Sequence, residues 1–217
     1  LEADEDGHEE RIARLREDIR NREEEIRLNV FRRDARELET RLVKEAKRID
    51  ELVRSLPINP RPSIRLLVDK RGYLNRETKL IDDNRVLAET LEQAAAGLED
   101  ALELTRTRYE HLDAEIDVLR RHRRLDQDGR VRSLLYVAQS ERDALEKRIP
   151  LQEDQIAVLR EMQAATVQLQ QLYVLEKNVL QDDFLECLRR FSGSVLIPLL
   201  IIVGLIVLQL LLSRVLL

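Results

Sequence analysis

Tryptophan is missing from the 217 residues, and three phenylalanines and four tyrosines leave the aromatic share at only 3%. A globular enzyme core draws on aromatic and β-branched side chains, whereas a charged chain rich in Glu, Arg, Leu and Ala reads as coiled coil or long helix. With one cysteine, Cys187, there is neither an intrachain disulfide framework nor a thiolate zinc site. Six glycines and five prolines supply few of the loops that usually carry active-site side chains. Of the histidines His8, His111 and His122, the last two are eleven apart on one expected helix, about 16 Å by helical rise, and share no metal by themselves. HExxH, CxxC, GxSxG, Walker and GxGxxG motifs are absent. Carboxylate runs such as Glu23, Glu24 and Glu25, or Asp182 and Asp183, read as solvated charged faces. Neither catalysis nor a metal or other cofactor is expected. Nor is nucleic-acid binding, since a net charge of −5 with interspersed signs leaves no basic stripe.

One long apolar run is present. In "SVLIPLLIIVGLIVLQLLLSRVLL", from Ser194 to Leu217, no formal charge falls between Val195 and Leu212, and Gln209 is the only amide. The run is about as long as the shortest bilayer span and reads as a transmembrane helix. Pro198 falls in its first turn, where a missing donor costs little. Gly204 permits close approach of another helix but belongs to no small-xxx-small motif. Arg189, Arg190 and Arg214 are the membrane-interface candidates, with Arg214 long enough to snorkel. By the charge rule Arg189 and Arg190 favour the cytoplasmic side. The chain opens on Leu and stops three residues after Arg214, so it is expected to be part of a longer membrane protein.

Most of the chain before the span is expected to be helical, the connector after the prolines being a short helix or a short strand. A first helix covers residues 1–56, with Ile12, Leu15, Ile19 and Ile26, then Phe31, Ala35, Leu38, Leu42, Ile49 and Leu52, on one side and a phase slip near Leu28 to Phe31. Pro57, Pro60 and Pro62 then force a boundary, and residues 57–75 read as a Pro-rich break with a short connector. Residues 76–193 read as a helical hairpin whose return arm is kinked at Pro150. Its outgoing helix carries two interleaved heptad series, Ala88, Ala95, Leu102, Tyr109 and Ile116 with Leu91, Leu98, Thr105, Leu112 and Leu119. Of these, Leu91, Leu98, Leu102, Tyr109, Leu112, Ile116 and Leu119 are the interhelix packing candidates. Asp128 and Gly129 mark the turn. Residues 194–217 are the transmembrane helix. Between arm and span, Phe191, Ser192, Gly193 and Ser194 are hinge candidates, or else a helix restart capped by Ser192 or Ser194. Cys187 shares a face with Phe184 and Phe191 and is expected to pack there. The fold class is thus all-α, with long antiparallel coiled-coil-like hairpins joined to a transmembrane helix. Two functional classes survive, an oligomeric channel or transporter and a single-span coiled-coil tether or scaffold.

The helical body ending in "YVLEKNVLQDDFLECLRRFSGSVLIPLLIIVGLIVLQLLL" resembles the N-terminal region and first membrane helix of the larger bacterial members of the small-conductance mechanosensitive channel family. The resemblance rests on the organisation of the whole chain, without the family's Gly/Ala-rich pore helix. It implies a homo-heptamer of the inner membrane, gated by bilayer tension without a cofactor. It also implies a periplasmic helical body, opposite to the charge rule, and a lipid-facing role for Phe191 to Leu217.

Overall fold

The computed structural model describes residues 2–55, 63–122 and 130–215, excepting the side chains of 2–10, 13, 195–196 and 210–215. The described residues form α1 (Glu2–Ser55), α2 (Ile64–His122), α3 (Arg130–Phe191), a π-helical segment (Ser192–Leu196) and α4 (Ile197–Val215), with no strand among them. Pro57, Pro60, Pro62, Asp128 and Gly129 lie outside the described residues. The three long helices each contribute to two compact units, one from residues 1–41 and 87–166, the other from 42–86 and 167–217.

In the first unit α2 and α3 run antiparallel. Their ion pairs Arg142–Asp113 (3.5 Å) and Arg108–Glu141 (3.0 Å) join the later part of α2 to the earlier part of α3, and Arg106–Glu153 (2.5 Å) and Arg160–Glu99 join earlier α2 to later α3. Between them lie Leu112, Ile116, Leu135, Ala138 and Leu145, with Tyr109 and Leu119 packed against the cluster. A second cluster adds α1, joining Leu28, Leu91, Ala95, Val158, Leu159 and Met162 with partly buried Phe31, Ala35, Leu38 and Leu98. α3 carries the broadest buried band because it packs against both other helices. Gly97 sits inside α2 with nothing within 4 Å of where a Cβ would stand. Gly97→Ala is expected to stabilise the first unit by about 1 kcal/mol, the helix-propensity difference, read from guanidinium unfolding; a destabilised variant would show a close approach at that position.

Two expectations change. The apolar residues Ile12, Leu15, Ile19 and Ile26 do not face the core; all are about half exposed or more. The α1 seam is instead Glu17, Asn21, Glu24, Leu28, Phe31, Ala35, Leu38, Leu42, Glu45, Ile49 and Leu52, in unbroken steps of four and three. Its first third is polar and held by hydrogen bonds. Arg148 donates to Glu17 (2.5 Å), Asn21 to the Ala144 carbonyl (3.3 Å), and Gln155 to Glu24 (2.8 Å). The phase slip in the apolar pattern marks where that polar third ends.

Residues 64–75 are not a separate connector but the first turns of α2. The Ser63 hydroxyl accepts the Leu66 N–H (3.2 Å) and its carbonyl accepts the Leu67 N–H (3.1 Å), a cap that starts the helix just past the prolines. Leu67, Lys70, Leu74, Glu77, Ile81 and Asn84 then continue the heptad phase of Ala88 and Leu91 without a slip. The return arm is one helix, α3, with Pro150 inside it.

Candidate functional site

The junction between α3 and α4 lies in the second unit. Phe191 (φ −63°, ψ −46°) and Ile197 (φ −65°, ψ −50°) flank the π segment, both in right-handed helical conformation, and the Ile197 N–H reaches back to the Ser192 carbonyl. Pro198 explains the widening: it has no N–H for the Ser194 carbonyl and its ring crowds that carbonyl, so the turn before it opens to the i→i+5 pattern. Ser192 and Ser194 do not cap a restarted helix. Their hydroxyls donate to the carbonyls of Arg189 (2.9 Å) and Phe191 (3.2 Å). The hinge candidates Phe191, Ser192, Gly193 and Ser194 therefore stand in continuous helix.

Beyond the junction, Ile197, Leu199 to Val203 and Leu205 to Leu208 are all roughly half exposed. Nothing lies within 4 Å of a Cβ placed at Gly204. Arg189 is exposed, Arg190 pairs with Glu186, and the side chain of Arg214 lies outside the described residues.

Just before the junction the second unit buries charge. Lys70 pairs with Asp183, both side chains mostly buried, and burial lowers the Lys70 pKa. Cys187 is free and buried nearby on α3. Further along, Glu77 and Glu176 are 3% and 2% exposed. Arg48 reaches Glu176 at 2.5 Å and Glu45 at 2.6 Å. The Glu77 carboxyl is pushed up to about 7, first by burial and then by the charge of Glu176, with Arg48 and Arg76 pulling the other way. Its Oε2 has no hydrogen-bond partner. This cluster escaped the sequence reading, although Glu77 and Asn84 occupy seam positions between Leu74, Ile81 and Ala88. A charged residue spaced as a core residue was the available signal.

The structure places Leu91, Leu102, Leu112 and Ile116 among the buried residues and Leu98, Tyr109 and Leu119 half-buried against them. Among the described residues, no three His, Cys, Asp or Glu side chains are grouped to hold a metal ion. The shallow groove of the first unit along Arg32, Ala35, Asp154, Val158 and Met162 gathers no converging nucleophile and base.

Fold and junction define an all-α chain in which, among the described residues, one helix is long and apolar enough to cross a membrane. No protein-family model, curated protein or solved structure matches it.

Proposed function

We propose that this chain is the extramembrane helical region and first, lipid-facing span of a mechanosensitive channel that conducts ions and small osmolytes under bilayer tension. The observation that carries the reading is the junction: α3 passes into α4 with no non-helical residue between them. α4 has 19 residues, about 28 Å by helical rise against a hydrocarbon core of roughly 30 Å. A thinned, expanded bilayer changes that match, and a helix answers mismatch by tilting. With no loop at the junction, tilt of α4 is delivered to the packed helices of the second unit. The resemblance adds a homo-heptameric assembly in the bacterial inner membrane, with the helical body in the periplasm.

Patch-clamp recording of the complete protein under applied tension tests this. Deleting residues 1–185 is expected to shift the gating threshold or the opening kinetics. A flexible Gly-Ser insertion after Gly193 is expected to do the same by uncoupling α4 from α3. Unchanged gating in both variants removes any role for the body. Full absence of tension-evoked current sinks the channel reading and leaves the single-span tether.

A further inference from the structure

The Lys70–Asp183 ion pair sets the N-terminal turns of α2 against the last turns of α3 in antiparallel register. Ile64 lies six residues from Lys70 along α2, and Arg189 lies six residues from Asp183 along α3, each about 9 Å by helical rise. Both steps lead the same way, so Ile64 and Arg189 stand at one level, just before the π segment. At that end Ile64 is 67% and Val68 64% exposed, the most exposed large apolar side chains of α2 after Leu104, and Leu185 and Leu188 are exposed on α3. Ile64 and Val68 are one turn apart and share a face, turned away from the seam positions Leu67, Lys70 and Leu74. At 100° per residue Arg71 flanks that face on one side and Arg65 on the other. Arg65, Arg71 and Arg189 are exposed and make no ion pair among the described residues. The opposing charges nearby are Asp69 and Asp182, since Glu186 is taken by Arg190 and Asp183 by Lys70, so the three arginines leave an excess of one positive charge.

We propose that this end of the second unit docks on the bilayer surface, with Ile64 and Val68 in the interfacial layer and Arg65, Arg71 and Arg189 binding the phosphates of anionic lipid headgroups. The inference rests on α4 crossing a bilayer. Two features select lipid over protein. The α3 part of the patch, Leu185, Leu188 and Arg189, runs directly into the apolar helix that follows, and the excess of positive charge complements anionic headgroups, which attract basic segments next to a span. Four apolar side chains are also far fewer than the roughly 20 to 30 residues a side of a specific protein interface. Together the contacts put α2 as well as α3 against the membrane, so that the unit is seated at two points instead of hanging from one helix.

The absence of tryptophan makes the test direct. Ile64→Trp, Val68→Trp, Val86→Trp and Leu205→Trp each give the full chain a single indole at an exposed position. The variants are reconstituted in phosphatidylcholine vesicles with and without phosphatidylglycerol, and quenching is recorded with lipid brominated near the acyl carbonyl for positions 64, 68 and 86 and with lipid brominated deep in the acyl chain for position 205. Leu205→Trp is expected to be quenched, establishing the span. Ile64→Trp and Val68→Trp are expected to shift to the blue and lose emission, more so with phosphatidylglycerol, and this excess is expected to vanish on adding Arg65→Gln and Arg71→Gln. Val86→Trp, about 27 Å further along α2, is expected to stay unquenched. Quenching at Leu205 with Ile64 and Val68 behaving like Val86 overturns the docking and leaves the span standing. No quenching at Leu205 overturns the span and the docking with it. A blue shift at 64 and 68 without bromine quenching assigns the patch to a second copy of the chain, and equal quenching in both lipids overturns headgroup binding.

Discussion

Arg48→Met is expected to lower the stability of the second unit by about 3 kcal/mol near neutral pH, read from guanidinium unfolding of the detergent-solubilised chain by circular dichroism. Arg48 bonds Glu176 at 2.5 Å, and the Glu176 side chain is only 2% exposed. Removing the guanidinium leaves a buried carboxylate facing a second buried carboxyl, Glu77, with no cation between them. Loss of one partner of a buried pair generally costs about 3 to 5 kcal/mol. The lower end applies because the Arg48 side chain is itself 45% exposed and water enters where it leaves. Methionine keeps most of the stem's packing, so charge is what changes. The double variant Arg48→Met with Glu176→Gln is expected to recover at least half of the loss, since removing both partners of a buried pair is often close to neutral. Additive losses would show that the two side chains do not couple, and the pair would then have no place in holding α1 to α3.

The outgoing half of the hairpin was legible because its seam is apolar: Leu91, Leu98, Leu102, Leu112 and Ile116 announce their own spacing. Where the same spacing is filled by polar residues, reading by hydrophobicity follows the wrong face. On α1, Ile12, Leu15, Ile19 and Ile26 form a good stripe by pattern, yet Glu17, Asn21 and Glu24 face α3, because Arg148, Gln155 and the Ala144 carbonyl supply partners. Those partners sit more than 120 residues away in sequence, so nothing local indicates them. Extending the clear heptads backwards from Ala88 would have reached Asn84, Ile81, Glu77, Leu74, Lys70 and Leu67, and with them both the true start of α2 and the buried carboxyl pair. At the junction, Ser192, Gly193 and Ser194 carry loop-forming propensities. Serine hydroxyls can satisfy helix carbonyls as well as cap an N-terminus, and here they do the former.

The second large effect is a pH dependence with the sign opposite to ordinary acid denaturation. Glu77 has an unfolded value near 4.5 and a folded value pushed up to about 7 by burial and by Glu176. A raised carboxyl is bound to its proton in the folded chain while the unfolded chain has already released it. Its contribution is therefore fully present below pH 4.5, declines as pH rises, and is lost above pH 7. That window corresponds to about 3 kcal/mol. Groups facing Glu77 work in both directions: Glu176 opposes ionisation, Arg48 and Arg76 favour it, and Glu45 draws on Arg48 from α1. Glu77→Gln keeps the volume, stays neutral at every pH and offers an amide N–H to Glu176. The variant is expected to match the parent chain near pH 4, to gain on it steadily from pH 4.5 to 7, and to exceed it by up to about 3 kcal/mol at pH 8. Comparing the two chains removes the surface carboxylates, whose titration is common to both. A stability difference that stays flat from pH 4 to 8 would mean that Glu77 ionises freely in the folded chain. A difference that opens above pH 4.5 makes the helix contact beside Glu176, on the arm that runs into α4, tightest when Glu77 holds its proton.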